Sequence, residues 1–335
     1  MSVENLINNK SKVVLISHIN PDGDAVGSLT AFYAFLKDRG VMSHVLLPNM
    51  YSDNLEFLNR DKNILIYNKD TEKANIVLEE ADLIVCLDFN SSKRIGEVAG
   101  KLLESNAHKI LIDHHLSPNT EEFDTIISDV QVSSTCELLM KTFLQFDSIN
   151  NDITRLSHPV LQSLATGMLT DTNNFRNSVH PFTFQMASML IAQGVDFEFL
   201  NNELFSAHTE NRMRLLGEIL QSKMVVNKEY GYAYIVLTQE LQDKYFYETG
   251  DSEGFVNMPL LIKGVEISAF FRETPEVVRV SLRSKGKYSV NALSKLSFNG
   301  GGHERASGGS LNMGIDEVAD YFETKVVEFI KAQDL

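Results

Sequence analysis

An acid and imidazole cluster is written in pieces along the first half of the chain. The pieces are His18-x-x-x-Asp22-x-Asp24, Asp88, Asp113-His114-His115, and Asp171 within Thr170-Asp171-Thr172. Taken singly, each has an ordinary reading. Asp22 suits a turn, Asp24 suits the N-cap of a following helix, His18 suits a hydrogen-bonded core position, and Asp88 and Asp171 suit loops. Taken together they suit a metal centre. Carboxylates gathered at one edge repel: two like charges about 4 Å apart cost about 4 kcal/mol at an effective dielectric near 20. Cations or protons must offset that cost, and two divalent ions would neutralise the four aspartates Asp22, Asp24, Asp88 and Asp171. Oxygen and imidazole donors without thiolate fit Mn²⁺ or Mg²⁺, with Fe²⁺, Co²⁺ and Zn²⁺ also open.

Such residues need strand ends to bring them together. Short apolar runs read as strands over 13–16, 41–47, 64–67, 82–87 and 109–112, with a further short one over 124–129. Helical periods read over 24–37 and 71–79, and then from Ser133 or Ser134 onward, over 161–169, 182–192 and 197–205. Strands alternating with helices imply βαβ units, hence an α/β doubly wound parallel sheet. Ligands of such sheets bind at the carboxyl ends of the strands, where His18, Asp88 and His114 fall. Asp171 is expected just after a helical run.

After residue 221 the period changes. Two hairpins are expected, 223–227 with 232–237 and 265–272 with 277–283, then a helix over 291–296 and a closing helix over 315–330. This is a smaller α+β domain with a mixed, mostly antiparallel sheet. The expected division is a catalytic domain over 1–190, connecting helices over 191–215, and a second domain over 216–335. Gly300-Gly301-Gly302-His303 lies in that second domain, where backbone amides could cradle an anion or simply form a loop. Seven lysines and arginines against three acids lie between Arg272 and Arg305, a basic stretch in a chain of net charge −15.

The five motifs in their order resemble the DHH phosphoesterase superfamily with its associated C-terminal domain, over nearly the whole chain. Gly300-Gly301-Gly302-His303-x-x-Ala306-x-Gly308 is similar to the glycine-rich motif of that C-terminal domain. Length and C-terminal domain resemble the oligoribonuclease/pAp-phosphatase group, which is exopolyphosphatase-related. The resemblance implies a site of two divalent ions, most often Mn²⁺. His18 and Asp22 would hold one ion, Asp24 and His114 the other, with Asp88 and Asp171 shared. His115 would face the substrate phosphate and could protonate the leaving oxygen, or act as a passive donor, while Asp113 orients a neighbouring imidazole. Arg283, Ser284, Gly300, Gly301, Gly302, His303 and Arg305 would bind substrate. The implied reaction is hydrolysis of short oligoribonucleotides, linear dinucleotides or the 3′-phosphate of pAp, by in-line attack of a hydroxide held between the ions. Two positions depart from the family pattern, Asn173 and Asn299, where glycine is common.

Composition limits the alternatives. The net charge argues against a long duplex-binding surface, so duplex DNA is not an expected partner. Residues 1–12 lack an apolar signal core and no run approaches a membrane span. Cys86 and Cys136 are too few for a thiolate site and suit a reducing cytoplasm. A redox role for Cys86 remains open. A homodimer is compatible with the resemblance. A manganese-dependent pyrophosphatase or exopolyphosphatase shares the metal motifs, and a catalytically silent nucleotide-binding module is the reading from another class.

Overall fold

The structure, a computed structural model, describes residues 3–7, 12–206 and 208–333. It divides into two units, Met1–Ala207 and His208–Leu335.

In the first unit the apolar runs become six strands: β1 (Val13–Ile16), β2 (Ser43–Leu47), β3 (Ile64–Ile66), β4 (Leu83–Leu87), β5 (His108–Asp113) and β6 (Thr125–Ser128). They form one parallel sheet in the order β3-β2-β1-β4-β5-β6. Successive side chains alternate between faces, and both faces are covered. Val13, Leu15, Val85 and Ile112 pack on one side; Val14, Ile16, Ile84 and Leu111 pack on the other. This double burial is why the strands read as continuous apolar runs rather than alternating ones.

The helices of this unit are α1 (Val3–Leu6), α2 (Gly23–Lys37), α3 (Thr71–Glu79), α4 (Val98–Glu104), α5 (Thr135–Leu144), α6 (His158–Asp171), α7 (Pro181–Ala192) and α8 (Phe197–Asn201). Helices α2, α5, α6 and α7 cover the first face, and α3 and α4 the second. A stack of Phe35 on Phe143, 4.2 Å between ring centres, locks α2 to α5. Sequence periodicity passed over α4, whose only buried residues are Val98 and Leu102. Asp22, rather than Asp24, is the N-cap of α2: its Oδ1 accepts the N–H groups of Asp24 and Ala25, both at 3.0 Å. Asp171 is the last residue of α6 instead of lying beyond it.

The second unit contains α9 (Glu210–Ser222), α10 (Gln239–Lys244), α11 (Val290–Ser297) and α12 (Val318–Gln333). Its strands are β7 (Met224–Asn227), β8 (Tyr232–Leu237), β9 (Ile267–Glu273), β10 (Val278–Ser284), β11 (Gly301–Gly302) and β12 (Ala306–Leu311). They form a mixed sheet, β11-β12-β10-β9-β8-β7, antiparallel except for β8 with β9. Helices α11 and α12 cover the face of Ile267, Ala269 and Phe271; α9 and α10 pack near Phe270 on the other. Strand β12 was missed because Gly308 and Gly309 weaken its β signal. Among the described residues, no helix is long and apolar enough to cross a membrane.

Candidate metal centre

The order of the first sheet sets the site. Its strand order reverses direction at β1 and β4, the switch point where a crevice opens outside the carboxyl ends of the strands. His18 follows β1, Asp88 follows β4, and Asp113 ends β5 with His114 and His115 after it. Helix α2 begins beside them and brings Asp22 and Asp24; the end of α6 brings Asp171.

Donor atoms converge there. The His18 Nδ1 lies 2.8 Å from the Ile19 carbonyl, to which it donates, so Nε2 is the nitrogen that faces the cluster. That Nε2 is 3.3 Å from Asp88 Oδ2. The His114 Nε2 is 3.2 Å from Asp171 Oδ2, 3.6 Å from Asp88 Oδ1 and 3.9 Å from Asp24 Oδ2. Two triads, His18/Asp22/Asp88 and Asp24/Asp88/His114, each keep their ligand atoms within 4.8 Å of one another, and Asp88 belongs to both. Lone pairs of imidazole and carboxylate that face each other at such distances need a proton or a cation between them. The donor set is oxygen and imidazole throughout, which fits hard or borderline divalent ions.

Two features hold this geometry. Asp24 is fully buried, and its carboxylate sits on the start of α5: Oδ2 accepts the Thr135 N–H at 2.6 Å and Oδ1 the Cys136 N–H at 2.9 Å. These are orphan donors at a helix N-terminus, where the dipole also favours an anion. The Ser134 hydroxyl caps the same helix through the Glu137 N–H. Thr135 also donates its hydroxyl to Asp88 Oδ1 at 3.0 Å. Thr135 thus touches two proposed ligands from different motifs, and sequence reasoning did not find it. A Ser-Ser-Thr run before a helix reads only as a cap.

The second feature is the close crossing of α2 and α6. A Cβ on Gly167 would lie 2.4 Å from Asp24 Oδ1 and 2.3 Å from Cys136 Sγ. Gly167→Ala should therefore push Asp24 off the α5 amides. We expect a loss of about 1–3 kcal/mol of stability from overpacking, with weaker metal binding. Denaturant unfolding and metal titration of the variant check this; unchanged values in both would contradict it.

Charge and burial set the protonation states. Burial, then the charges of Asp88 and Asp22, push Asp24 well above the usual carboxylate range, and the Cys136 amide does not offset them. Burial and the neighbouring aspartates raise Asp171 likewise. Burial opposes ionisation of Asp88 too, but the His18 hydrogen bond and the imidazoles of His115 and His114 hold it below the usual range. The sign of the linkage follows. With raised values, the folded metal-free protein binds more protons than the unfolded chain above about pH 3.9, so stability falls as pH rises through the folded values of Asp24 and Asp171. Metal requires both groups ionised, so its binding should release protons and weaken as pH falls. Calorimetric titration with Mn²⁺ in buffers of different ionisation enthalpy measures that release, and a buffer-independent enthalpy would exclude it.

Asp113 and His115 form a pair beside the triads. The His115 Nδ1 lies 2.7 Å from Asp113 Oδ1. Burial and Asp88 push Asp113 up to about 6. Burial, reinforced by the charge of Arg94, pushes His115 down to about 3 although Asp88 pulls the other way. Cys86 is buried within the second-face core and burial pushes its thiol up, which keeps it protonated.

Past Asp171 the chain makes a left-handed turn: φ is +46° at Asn173, +55° at Asn174 and +63° at Phe175. The Thr172 carbonyl holds it by accepting the Arg176 and Asn177 N–H groups at 2.8 and 2.9 Å. Asn299 also has positive φ, +49°. Both departures from glycine thus place asparagine, the side chain that best tolerates this region, where the backbone is left-handed.

In the second unit, Arg283 lies on β10 opposite Ala306 of β12. It shares its strand face with Arg279 and Ser281, and Gly308 and Gly301 continue the row beside Ser281. Ser284 does not join them. Alternation turns it to the other face, where its buried hydroxyl donates to the Tyr288 carbonyl at 2.7 Å. The glycines have a structural reason of their own: a Cβ on Gly300 would lie 1.9 Å from the Gly308 carbonyl oxygen. Gly301 and Gly302 pair with β12, and the His303 N–H donates to the Ala306 carbonyl at 2.7 Å. Arg305 is exposed, with a guanidinium N–H donated to the Tyr288 carbonyl.

Comparison with known proteins places both units in known domain families. The model of the DHH family, N-terminal domain, matches residues 12–168, and that of the DHHA1 domain matches residues 227–332. The chain belongs to the DHH family. This DHH-family chain is similar to an exopolyphosphatase-related protein from Bacteroides fragilis of known crystal structure. The two share 38% identity at a TM-score of 0.92, over 99% of this chain and 96% of that one. It is also similar to the bifunctional oligoribonuclease and PAP phosphatase NrnA of Thermus thermophilus, 29% identical over 96% of this chain and 90% of the relative. The protein of the same name from Bacillus subtilis is 27% identical, with 89% of each chain covered.

Proposed function

We propose that this DHH-family chain is a metal-dependent phosphoesterase that hydrolyses short oligoribonucleotides and the 3′-phosphate of pAp. The observation that carries the reading is the pair of triads sharing Asp88 at the sheet's switch point. Similarity along almost the full length of the NrnA proteins supports the substrate class.

His18, Asp22 and Asp88 would hold one divalent ion, and Asp24, Asp88 and His114, with Asp171 beside them, a second. Bound there, Mn²⁺ or a similar ion supplies positive charge to phosphoryl oxygens and acidifies water. The residues do the rest. Asp113 fixes His115 through Nδ1, and the imidazole can donate a proton to the leaving oxygen. Arg283, on an open strip paved by Ser281, Gly308 and Gly301, and His303 would bind nucleotide phosphate in the second unit. The free, buried thiols Cys86 and Cys136 suit a cytoplasmic enzyme.

The test is a panel with Mn²⁺ in which pAp, di- to pentaribonucleotides, long RNA, pyrophosphate and cyclic dinucleotides compete as substrates. Turnover of pAp and the short RNAs is expected. Preference for pyrophosphate, or faster degradation of long RNA than of dinucleotides, would overturn the reading.

A further inference from the structure

Arg94 belongs to none of the motifs above, yet its backbone is tied to the segment that carries His18. It closes the turn Ser92–Arg94 on the segment that leaves β4 after Asp88. That segment is rigidly held. The Ile19 N–H, next to His18, donates to the Arg94 carbonyl at 2.8 Å, and the Arg94 N–H donates to the Ser91 carbonyl at 3.0 Å. Glu122 accepts the Ser92 N–H at 2.7 Å and the Ser92 hydroxyl at 2.9 Å. Ile95 is fully buried behind it.

The Arg94 side chain is half-buried. Among the described residues its guanidinium has neither hydrogen bond nor ion pair. A cation pinned through its backbone beside a carboxylate cluster, and paired with none of its members, is preorganised for an anion that arrives from outside. A guanidinium offers the planar fork that matches phosphate oxygens two at a time.

We propose that Arg94 binds the substrate's phosphoryl group, donating its N–H groups to non-bridging oxygens. The proposal rests on the phosphoesterase reading and adds to it a phosphate ligand from the metal-bearing unit itself. The test uses full-length, Mn²⁺-loaded protein with Arg94→Ala and Arg94→Lys. Equilibrium binding of 5′-AMP and inorganic phosphate, bound Mn²⁺, unfolding temperature and kcat/KM on a diribonucleotide are measured.

The alanine variant should bind AMP and phosphate roughly ten- to a hundred-fold more weakly and lose a similar factor in kcat/KM. Bound Mn²⁺ and unfolding temperature should stay at wild-type values. Lysine should recover part of the loss, because it keeps the charge without the fork. Unchanged anion binding in the alanine variant overturns the proposal. So does a loss of Mn²⁺ or stability in step with activity, which would make Arg94 a structural residue. If wild-type protein binds AMP through Arg94 but cleaves nothing in the substrate panel, the phosphoesterase reading fails and the phosphate site stands.

Discussion

Asp88→Asn should lower kcat/KM by more than roughly a hundred-fold, beyond the loss typical for residues that only support a metal ligand, while leaving the fold intact. Asp88 is the one member of both triads. Its two oxygens face His18, His114 and His115 at 3.3, 3.6 and 3.7 Å. It is also the acid of the cluster that its neighbours keep ionised. Asparagine removes that shared charge and can present an N–H donor to an imidazole acceptor, so the side chain remains satisfied without a cation. The backbone tolerates the change: φ at position 88 is +64°, and asparagine accepts left-handed backbone better than most residues. Metal analysis should show reduced occupancy, and the unfolding temperature of the chelated variant should match or exceed that of chelated wild type, since a buried charge has gone. Near wild-type kcat with full metal content would refute the shared-ligand assignment.

His115→Ala should retain metal but lose about 10²- to 10⁴-fold in kcat on ribonucleotides, the range for a missing general acid. His115 is in neither the His18/Asp22/Asp88 nor the Asp24/Asp88/His114 triad; it groups instead with Asp88 and Asp113, and its Nδ1 is bound to Asp113. In the protein without metal or substrate it is held neutral, pushed down to about 3 by burial and surrounding positive charge. An arriving phosphate anion reverses that balance, because a nearby negative charge favours the imidazolium. The alternative, a passive donor to phosphate, differs in a measurable way. A proton donor matters most when the leaving oxygen is basic. On a p-nitrophenyl ester of a nucleotide, whose leaving group needs no proton, the loss should shrink to under about ten-fold. An equal loss on both substrates would assign His115 to phosphate binding alone.

Much of this site is local information. Strands β1, β4 and β5 are written as apolar runs because both of their faces are buried, and the acids and imidazoles follow them directly in the chain. The glycine-rich stretch, the two hairpins of the second unit and the change of period before them are local in the same sense. What only the tertiary structure decided is whatever depends on partners far apart in sequence. Strand order is one case: nothing in 13–16 states that it lies between β2 and β4, yet that neighbourhood creates the crevice. Thr135 is another, since its contacts with Asp24 and Asp88 exist only because α5 starts beside α2 and β4. Gly167 looks like a flaw in a helix until α2 is packed against it. The family resemblance names Ser284 beside Arg283, and strand alternation turns the two to opposite faces. Arg94 is an ordinary loop cation in sequence; that its guanidinium has no partner among the described residues is a property of everything around it. Residue type and short-range spacing determine which chemistry this chain can carry. Long-range packing determines which oxygens and nitrogens meet, because pairing register and helix contact join segments whose separation along the chain leaves no local trace.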